Sequence, residues 1–252
     1  MGFSVDAASY DRFMGRYSLP LAPEFADFAL VPAGRRVLDV GCGPGALTGE
    51  LVERFGPSSV AAVDPSQSFV SAARERYPGV DFQLASAENL PFDDATFDAV
   101  LAQLVVHFTP EPVRALGEMK RVTRHGGIMA ACVWDHAGGS GPLAVFWEAA
   151  RSLDPGLDDE SRLPGAKEGH LAQLFDEAGL SKVEDGVLSV EVGHASFEDW
   201  WEPFELGVGP AGTYTSGFDQ AQRNALRETC RRMLPTGSFI LTARAWAARG
   251  VA

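Results

Sequence analysis

Two carboxylates and a glycine loop concentrate the chemistry of this chain. Asp39 lies inside the apolar run Val37-Leu38-Asp39-Val40, and Gly41, Gly43 and Gly45 follow at alternate positions. Branched residues suit a pleated surface covered on both faces, so the run reads as a short buried strand. The glycines turn the chain sharply and let backbone approach a ligand, because no Cβ intervenes. Ala46 to Phe55 reads as the next helix, with Leu47, Leu51, Val52 and Phe55 on one side. Strand, glycine turn and helix make the nucleotide-site pattern of an open α/β sheet, and the helix N-terminus suits an anion. Asp39 asks for something else. A buried carboxylate is costly unless paired, and a cationic ligand group would pair it. The competing reading is an acid that ties down the loop by accepting from its N–H groups.

The second acid, Asp64, ends the apolar run Val60 to Val63 and is followed by Pro65 and Ser66. It falls about 20 residues beyond the loop, where one carboxylate can accept from both hydroxyls of a cofactor ribose. Ser66 is placed to cap a helix running to Arg76. Val80 to Ala85 reads as a third strand, Phe97 to Gln103 as a fourth and Ile128 to Trp134 as a fifth. A helix from Glu111 to Thr123 and the turn Arg124-His125-Gly126-Gly127 separate the last two.

These features resemble one family. The glycine loop with Asp39, Asp64, the stretch Leu90-Pro91-Phe92 leading to Phe97-Asp98, and Arg124 to Gly127 are similar to the signatures of class I S-adenosylmethionine-dependent methyltransferases. The likeness is to the small-molecule kind that serves ubiquinone and menaquinone biosynthesis, and it spans Val37 to Trp134. It implies an α/β fold: a Rossmann-like, seven-stranded, mostly parallel sheet with flanking helices, the last strand antiparallel beside the sixth, and a helical lid. It also implies S-adenosylmethionine as cofactor and S-adenosylhomocysteine as product. By the resemblance, Asp39 faces the methionyl end of the cofactor, and Gly41, Cys42 and Gly43 belong to the cofactor-binding loop. Asp64 serves the ribose, Ser86, Ala87 and Glu88 the adenine, and Pro65 and Ser66 also belong to the cofactor-binding set. Relatives often carry an Asp where Ser86 stands, so here Ser86 or Glu88 takes its place. Gln103, ending the fourth strand, completes the cofactor set. In such enzymes an N-terminal arm folds over the cofactor, which puts Tyr10 and Arg16 on the cofactor side, Arg16 facing a carboxylate. The alternative is a docked amphipathic helix whose Tyr and Phe are core.

The fourth strand also says what the chain should not do. Gln103-Leu104-Val105-Val106-His107-Phe108 lacks the Asn/Asp-Pro-Pro-aromatic motif that nucleobase amine methylases share, and lacks the metal-binding acid of catechol-type enzymes. No metal site is expected. Paired glutamates of the protein arginine methylases are also missing. Methyl transfer from a sulfonium is an in-line displacement that disperses charge, so alignment in a dry pocket is the main requirement. A base is needed only where the nucleophile must lose a proton; His107 is the first choice for that catalytic role and His136 the second. Trp134, Trp200 and Trp201 read as core; lining the pocket, they would fit an aromatic or apolar acceptor. Two rivals come from other classes. One is a nicotinamide-dependent oxidoreductase, which Asp39 and Leu90-Pro91-Phe92 oppose. The other is a non-catalytic S-adenosylmethionine-binding module.

Composition sets the outer bounds. The chain has 252 residues and a formal net charge of −13, which disfavours nucleic acid as a partner. Three widely spaced cysteines point to a reducing compartment, and the polar opening from Ser4 to Arg16 to a chain without a secretory leader, so a cytoplasmic location is expected. No apolar run reaches the roughly 18 residues of a membrane span, so no membrane partner is expected. The partner expected is a small-molecule acceptor; oligomeric state is not legible. The division reads as one methyltransferase domain over 1–252. Within it lie an arm at 1–34, a cofactor core at 35–134, lid insertions at 135–165 and 196–236, and a final strand from 237. The insertions add a flexible Gly207 to Gly212 segment that would let the lid move.

Overall fold

Short branched runs between glycines and acids become the strands, and periodic apolar stretches become the helices that cover them. The computed structural model describes residues 6–252; the first five residues of the expected arm lie outside the described residues. In chain order the elements are α1 (Ala7–Tyr10), a π-helical turn (Asp11–Gly15), α2 (Arg16–Ala29), β1 (Val37–Val40), α3 (Ala46–Phe55), β2 (Val60–Asp64), α4 (Gln67–Arg76), β3 (Asp81–Leu84) and β4 (Phe97–Gln103). There follow α5 (Pro112–Val122), β5 (Thr123–Trp134), α6 (Ala144–Leu153), α7 (His170–Glu177), β6 (Ser181–His194), α8 (Phe197–Trp201), α9 (Gly209–Ser216), α10 (Gln220–Met233) and β7 (Phe239–Val251).

The seven strands form one sheet in the order β3-β2-β1-β4-β5-β7-β6. β1 to β5 are parallel, and β7 runs antiparallel between β5 and β6. The order reverses between β1 and β4. In open α/β sheets that reversal opens a crevice beyond the carboxyl ends of the strands, where ligands bind. The loops after β3, β2, β1, β4 and β5 therefore lie side by side along one edge. Val37, Leu47, Leu51, Tyr17, Leu21 and Phe25 fill one face of the sheet. Leu116, Met119, Leu171, Leu174 and Phe175 fill the other.

Several boundaries differ from the sequence expectation. α2 begins at Arg16 and carries Pro20 and Pro23 inside it. β5 begins at Thr123, because the Arg124 to Gly127 stretch continues in strand and its Gly126 N–H donates to the Ala252 carbonyl. Ser66 makes no side-chain cap to α4. Gly209 to Ser216 is helix rather than a loose segment, and Gly212 packs so closely on the Gly207 backbone that a Cβ there would lie 2.5 Å from its carbonyl carbon. On α10, Leu226 and Cys230 are buried, while Ala225 and Met233 are exposed.

The aromatic segment after β6 builds a third core. Phe197, Trp200, Trp201 and Phe204 cluster with Phe146 and Trp147 of α6 and with Phe13 of the π-turn. Phe146 and Phe204 stack at 4.5 Å with a 4° tilt, and Phe13 meets Phe204 edge-on at 5.1 Å.

Candidate active site

The glycine loop leaves β1 at the sheet's reversal point. Gly41 adopts φ +71°, and a Cβ there would fall 2.4 Å from the Val105 side chain, so both backbone and space require glycine. The loop's N–H groups are spent internally. Gly41 and Cys42 donate to the Val63 carbonyl at 2.7 and 2.9 Å, Gly43 to Asp64 Oδ2 at 2.9 Å and Gly45 to the Cys42 carbonyl at 3.0 Å. The first turn of α3 is met by Asp39, whose Oδ2 accepts from Thr48 Oγ1 at 2.6 Å. The carboxylate thus sits where a nucleotide loop would hold a phosphate.

Asp39 is 1% exposed, and its Oδ1 has no partner among the described residues. Burial raises its pKa from 3.8 to about 7, against the lowering effect of Thr48. Gln103 Oε1 is likewise buried without a partner, Gln103 Nε2 donates to the Ser18 carbonyl at 2.9 Å, and the Ser18 hydroxyl meets the Tyr10 side chain. Asp39, Gln103 and Ser18 line one small recess with Tyr10, Gly41, Cys42 and Gly43. Burial pushes the Cys42 thiol well up, which keeps it protonated.

A cavity of about 370 Å³ adjoins this recess along the carboxyl edge of the sheet. Asp64, Pro65 and Ser66 after β2 and Ser86, Ala87 and Glu88 after β3 line it. On the other side of the glycine loop, Gln103, Leu104, Val105 and His107 after β4 and Trp134 and His136 at the end of β5 line it. Asp64 accepts from the N–H groups of Ser66 (2.8 Å) and Gly43 (2.9 Å), and burial still raises its pKa. Leu104 holds φ +63°, a left-handed turn at the strand end that is strained for a leucine. That turn leads into the short helical turn Val106–Phe108 carrying His107.

His107 is 3% exposed and His136 8%, and His107 Nδ1 and His136 Nε2 have no partner among the described residues. Their ring centres lie 5.8 Å apart. Burial lowers both pKa values, that of His107 far below its ordinary range; Glu160, Asp135 and Asp159 partly offset the effect at His136. Both rings are therefore neutral near pH 7.

Tyr10 joins Phe13 and Met14 in lining the cavity from the arm side. Arg16 does not line it. Its guanidinium instead donates to the Asp199 carbonyl at 2.9 Å and to the Asp199 carboxylate at 3.0 Å, tying α2 to α8. A fixed acid across the cleft offers it a nearer partner than a ligand carboxylate. Trp200 and Trp201 lie in the aromatic core, and of the three tryptophans considered, Trp134 reaches the cavity. Sequence reasoning missed Ser18, Leu143, Glu160 and Val208 to Pro210. Phe13 and Met14 could have been found, since they follow Tyr10 at helical spacing. Glu160 sits in an acidic stretch, Asp158-Asp159-Glu160, with no local mark of burial.

Comparison with known proteins places this geometry. Residues 38–131 match a family described as a methyltransferase domain. An uncharacterized methyltransferase of Mycobacterium tuberculosis is 41% identical over 135 residues, covering 54% of this chain and 52% of that one. A phthiotriol/phenolphthiotriol dimycocerosates methyltransferase of the same organism is 41% identical over 96 residues, 37% of this chain and 36% of that one. The chain spans about half the length, or less, of these relatives. A Haemonchus contortus phosphoethanolamine N-methyltransferase, solved with phosphomonomethylethanolamine and S-adenosylhomocysteine, shares the fold at a TM-score of 0.59 and 16% identity, over 97% of this chain and 56% of that one. Residues 38–131, which supply β1 to β4 and most of β5, are thus similar to a methyltransferase domain.

Proposed function

We propose that the protein transfers a methyl group from S-adenosylmethionine to a small-molecule acceptor held at the β4–β5 side of the cavity. One observation carries the reading. Asp39 Oδ1 and Gln103 Oε1 are two buried oxygens without partners among the described residues, and they line one recess with the Ser18 hydroxyl, which meets Tyr10. Buried polar groups are nearly always hydrogen-bonded, and an α-ammonium brings three N–H donors and the charge that Asp39 needs. Four loop N–H groups already used inside the protein speak against a pyrophosphate, and so against a nicotinamide dinucleotide.

In this reading Asp64 receives the ribose hydroxyls with its remaining lone pairs, and Ser86, Ala87 and Glu88 flank the adenine. Bound S-adenosylmethionine supplies a methyl group activated on a sulfonium. The protein aligns the acceptor and excludes water. His107, neutral and lining the cavity, takes the acceptor's proton where the nucleophile carries one. The helices α6 and α8 to α10 act as the lid. Three cysteines without disulfides, Cys42, Cys132 and Cys230, fit a cytoplasmic setting, and no described helix is long and apolar enough to cross a membrane.

The test is calorimetric titration with S-adenosylhomocysteine and with its analogue lacking the α-amino group. Loss of the ammonium should weaken binding at least about tenfold, since hydrogen bonds to charged groups are strong and each factor of ten is about 1.4 kcal/mol. Equal affinities would remove the recess from the binding site.

A further inference from the structure

The β4–β5 end of the cavity has a chemical character that narrows the acceptor. Phe13, Leu143, Trp134 and Val208 give it apolar walls. Its polar groups are two imidazoles and a carboxylate. Glu160 lines the cavity at 4% exposure, and its Oε2 is fixed by the indole N–H of Trp147 at 2.8 Å. No lysine or arginine is among the described residues that line the cavity, whereas Asp64, Glu88 and Glu160 are. Arg151, on α6, is held by Asp159 in an ion pair instead.

We propose that this end selects an uncharged, apolar acceptor presenting a hydroxyl, and that Glu160 is a specificity determinant that rejects anionic acceptors. The proposal rests on the methyltransferase reading above. His107 Nδ1 and His136 Nε2 are buried ring nitrogens with no partner among the described residues. A hydroxyl both donates and accepts, so it can satisfy a ring nitrogen in either tautomer. A carboxylate or phosphate cannot donate, and would meet a fixed negative charge in a low-dielectric pocket with no cation to offset it. Neutral imidazoles supply no such cation, and the charged groups acting on His136 are themselves acidic, Glu160, Asp135 and Asp159, with the His107 ring centre 5.8 Å away. The phosphate-bearing acceptor of the Haemonchus structure is thus a chemistry this pocket is not built for.

The experiment uses the full chain saturated with S-adenosylhomocysteine. Binding of 2-naphthol, 2-naphthoate and 2-naphthyl phosphate is measured at pH 7 by calorimetry, three probes with one apolar body and different charge. 2-Naphthol should bind at least about tenfold more tightly than either anion. Glu160→Gln keeps an acceptor for Trp147 and removes the charge; it should narrow the naphthol-to-naphthoate preference by about tenfold. Naphthoate binding as tightly as naphthol, no probe binding to the loaded chain, or an unchanged preference in Glu160→Gln would each overturn the proposal. Failure of S-adenosylhomocysteine itself to bind would instead overturn the methyltransferase reading, so the two are distinguishable.

Discussion

Asp39→Asn should stabilise the cofactor-free protein at alkaline pH while weakening its hold on S-adenosylhomocysteine. The carboxyl of Asp39 is 1% exposed, accepts one hydrogen bond from Thr48, and has a second oxygen without a partner. Its pKa stands at about 7 instead of 3.8, chiefly through burial. A tenfold change in proton affinity is about 1.4 kcal/mol, so the ionised form costs the cofactor-free fold about 4 kcal/mol. The sign follows from the raised value. Below pH 3.8 both folded and unfolded chains hold the proton and nothing is lost. Between 3.8 and about 7 the unfolded chain sheds it first, so stability falls as pH rises, and above about 7 the loss is complete. From pH 5 to pH 8 the wild type should lose about 3 kcal/mol more than Asp39→Asn, which has no proton to exchange. For a chain of this size that is a difference of about 6–12 °C in Tm. Asparagine can still accept from Thr48, so the comparison isolates the charge. Urea unfolding of both proteins without cofactor, at pH 5, 6, 7 and 8, reads it directly. Parallel pH profiles would refute the claim that Asp39 is an unpaired buried carboxylate in the cofactor-free protein.

Other residues give separate tests. Asp64→Ala should weaken S-adenosylhomocysteine binding more than Ser86→Ala does, because Asp64 is also bonded to the loop through Gly43 and Ser66; equal losses in calorimetry would show that the adenine contact has been undervalued. His107→Ala should leave S-adenosylhomocysteine affinity within about twofold, a change worth less than a typical single hydrogen bond, yet lower turnover with any hydroxyl acceptor found; unchanged turnover would make His107 a wall residue. Phe204→Ala should lower stability by about 3–5 kcal/mol, the usual result of emptying a buried aromatic site, since its ring stacks on Phe146 and meets Phe13. A loss below about 1 kcal/mol in urea unfolding would mean that the aromatic core repacks freely.

The loops after β1 and β2 that line the cavity were legible because their signals are local. A glycine that needs a positive φ, an acid within an apolar strand, and an acid at the next strand end are each readable within a few residues. The sheet followed from the same runs, including an antiparallel last strand beside the sixth, as β7 lies against β6. The position of β7 between β5 and β6 is a matter of tertiary pairing that no local run encodes. Arg16 was misplaced for a similar reason. Its partner Asp199 is 183 residues away, and a basic group next to a cofactor looks the same in sequence as one bridging two helices. Gly207 to Gly212 reads as a loop from composition, yet Gly212 is where a helix and the Gly207 backbone must touch, so close packing rather than flexibility explains its glycine. Glu160 was invisible because its burial depends on the indole of Trp147 reaching it across 13 residues.

The central claim is that Asp39, Gln103, Ser18 and Asp64 form a site for S-adenosylmethionine and not for a nicotinamide. Parallel calorimetric titration of the purified protein with S-adenosylmethionine, S-adenosylhomocysteine and NADH tests it most directly. The account predicts saturable one-to-one binding of both sulfur compounds and no heat from NADH beyond dilution. Binding of NADH alone would contradict it, and binding of none of the three would deny that the recess is a ligand site.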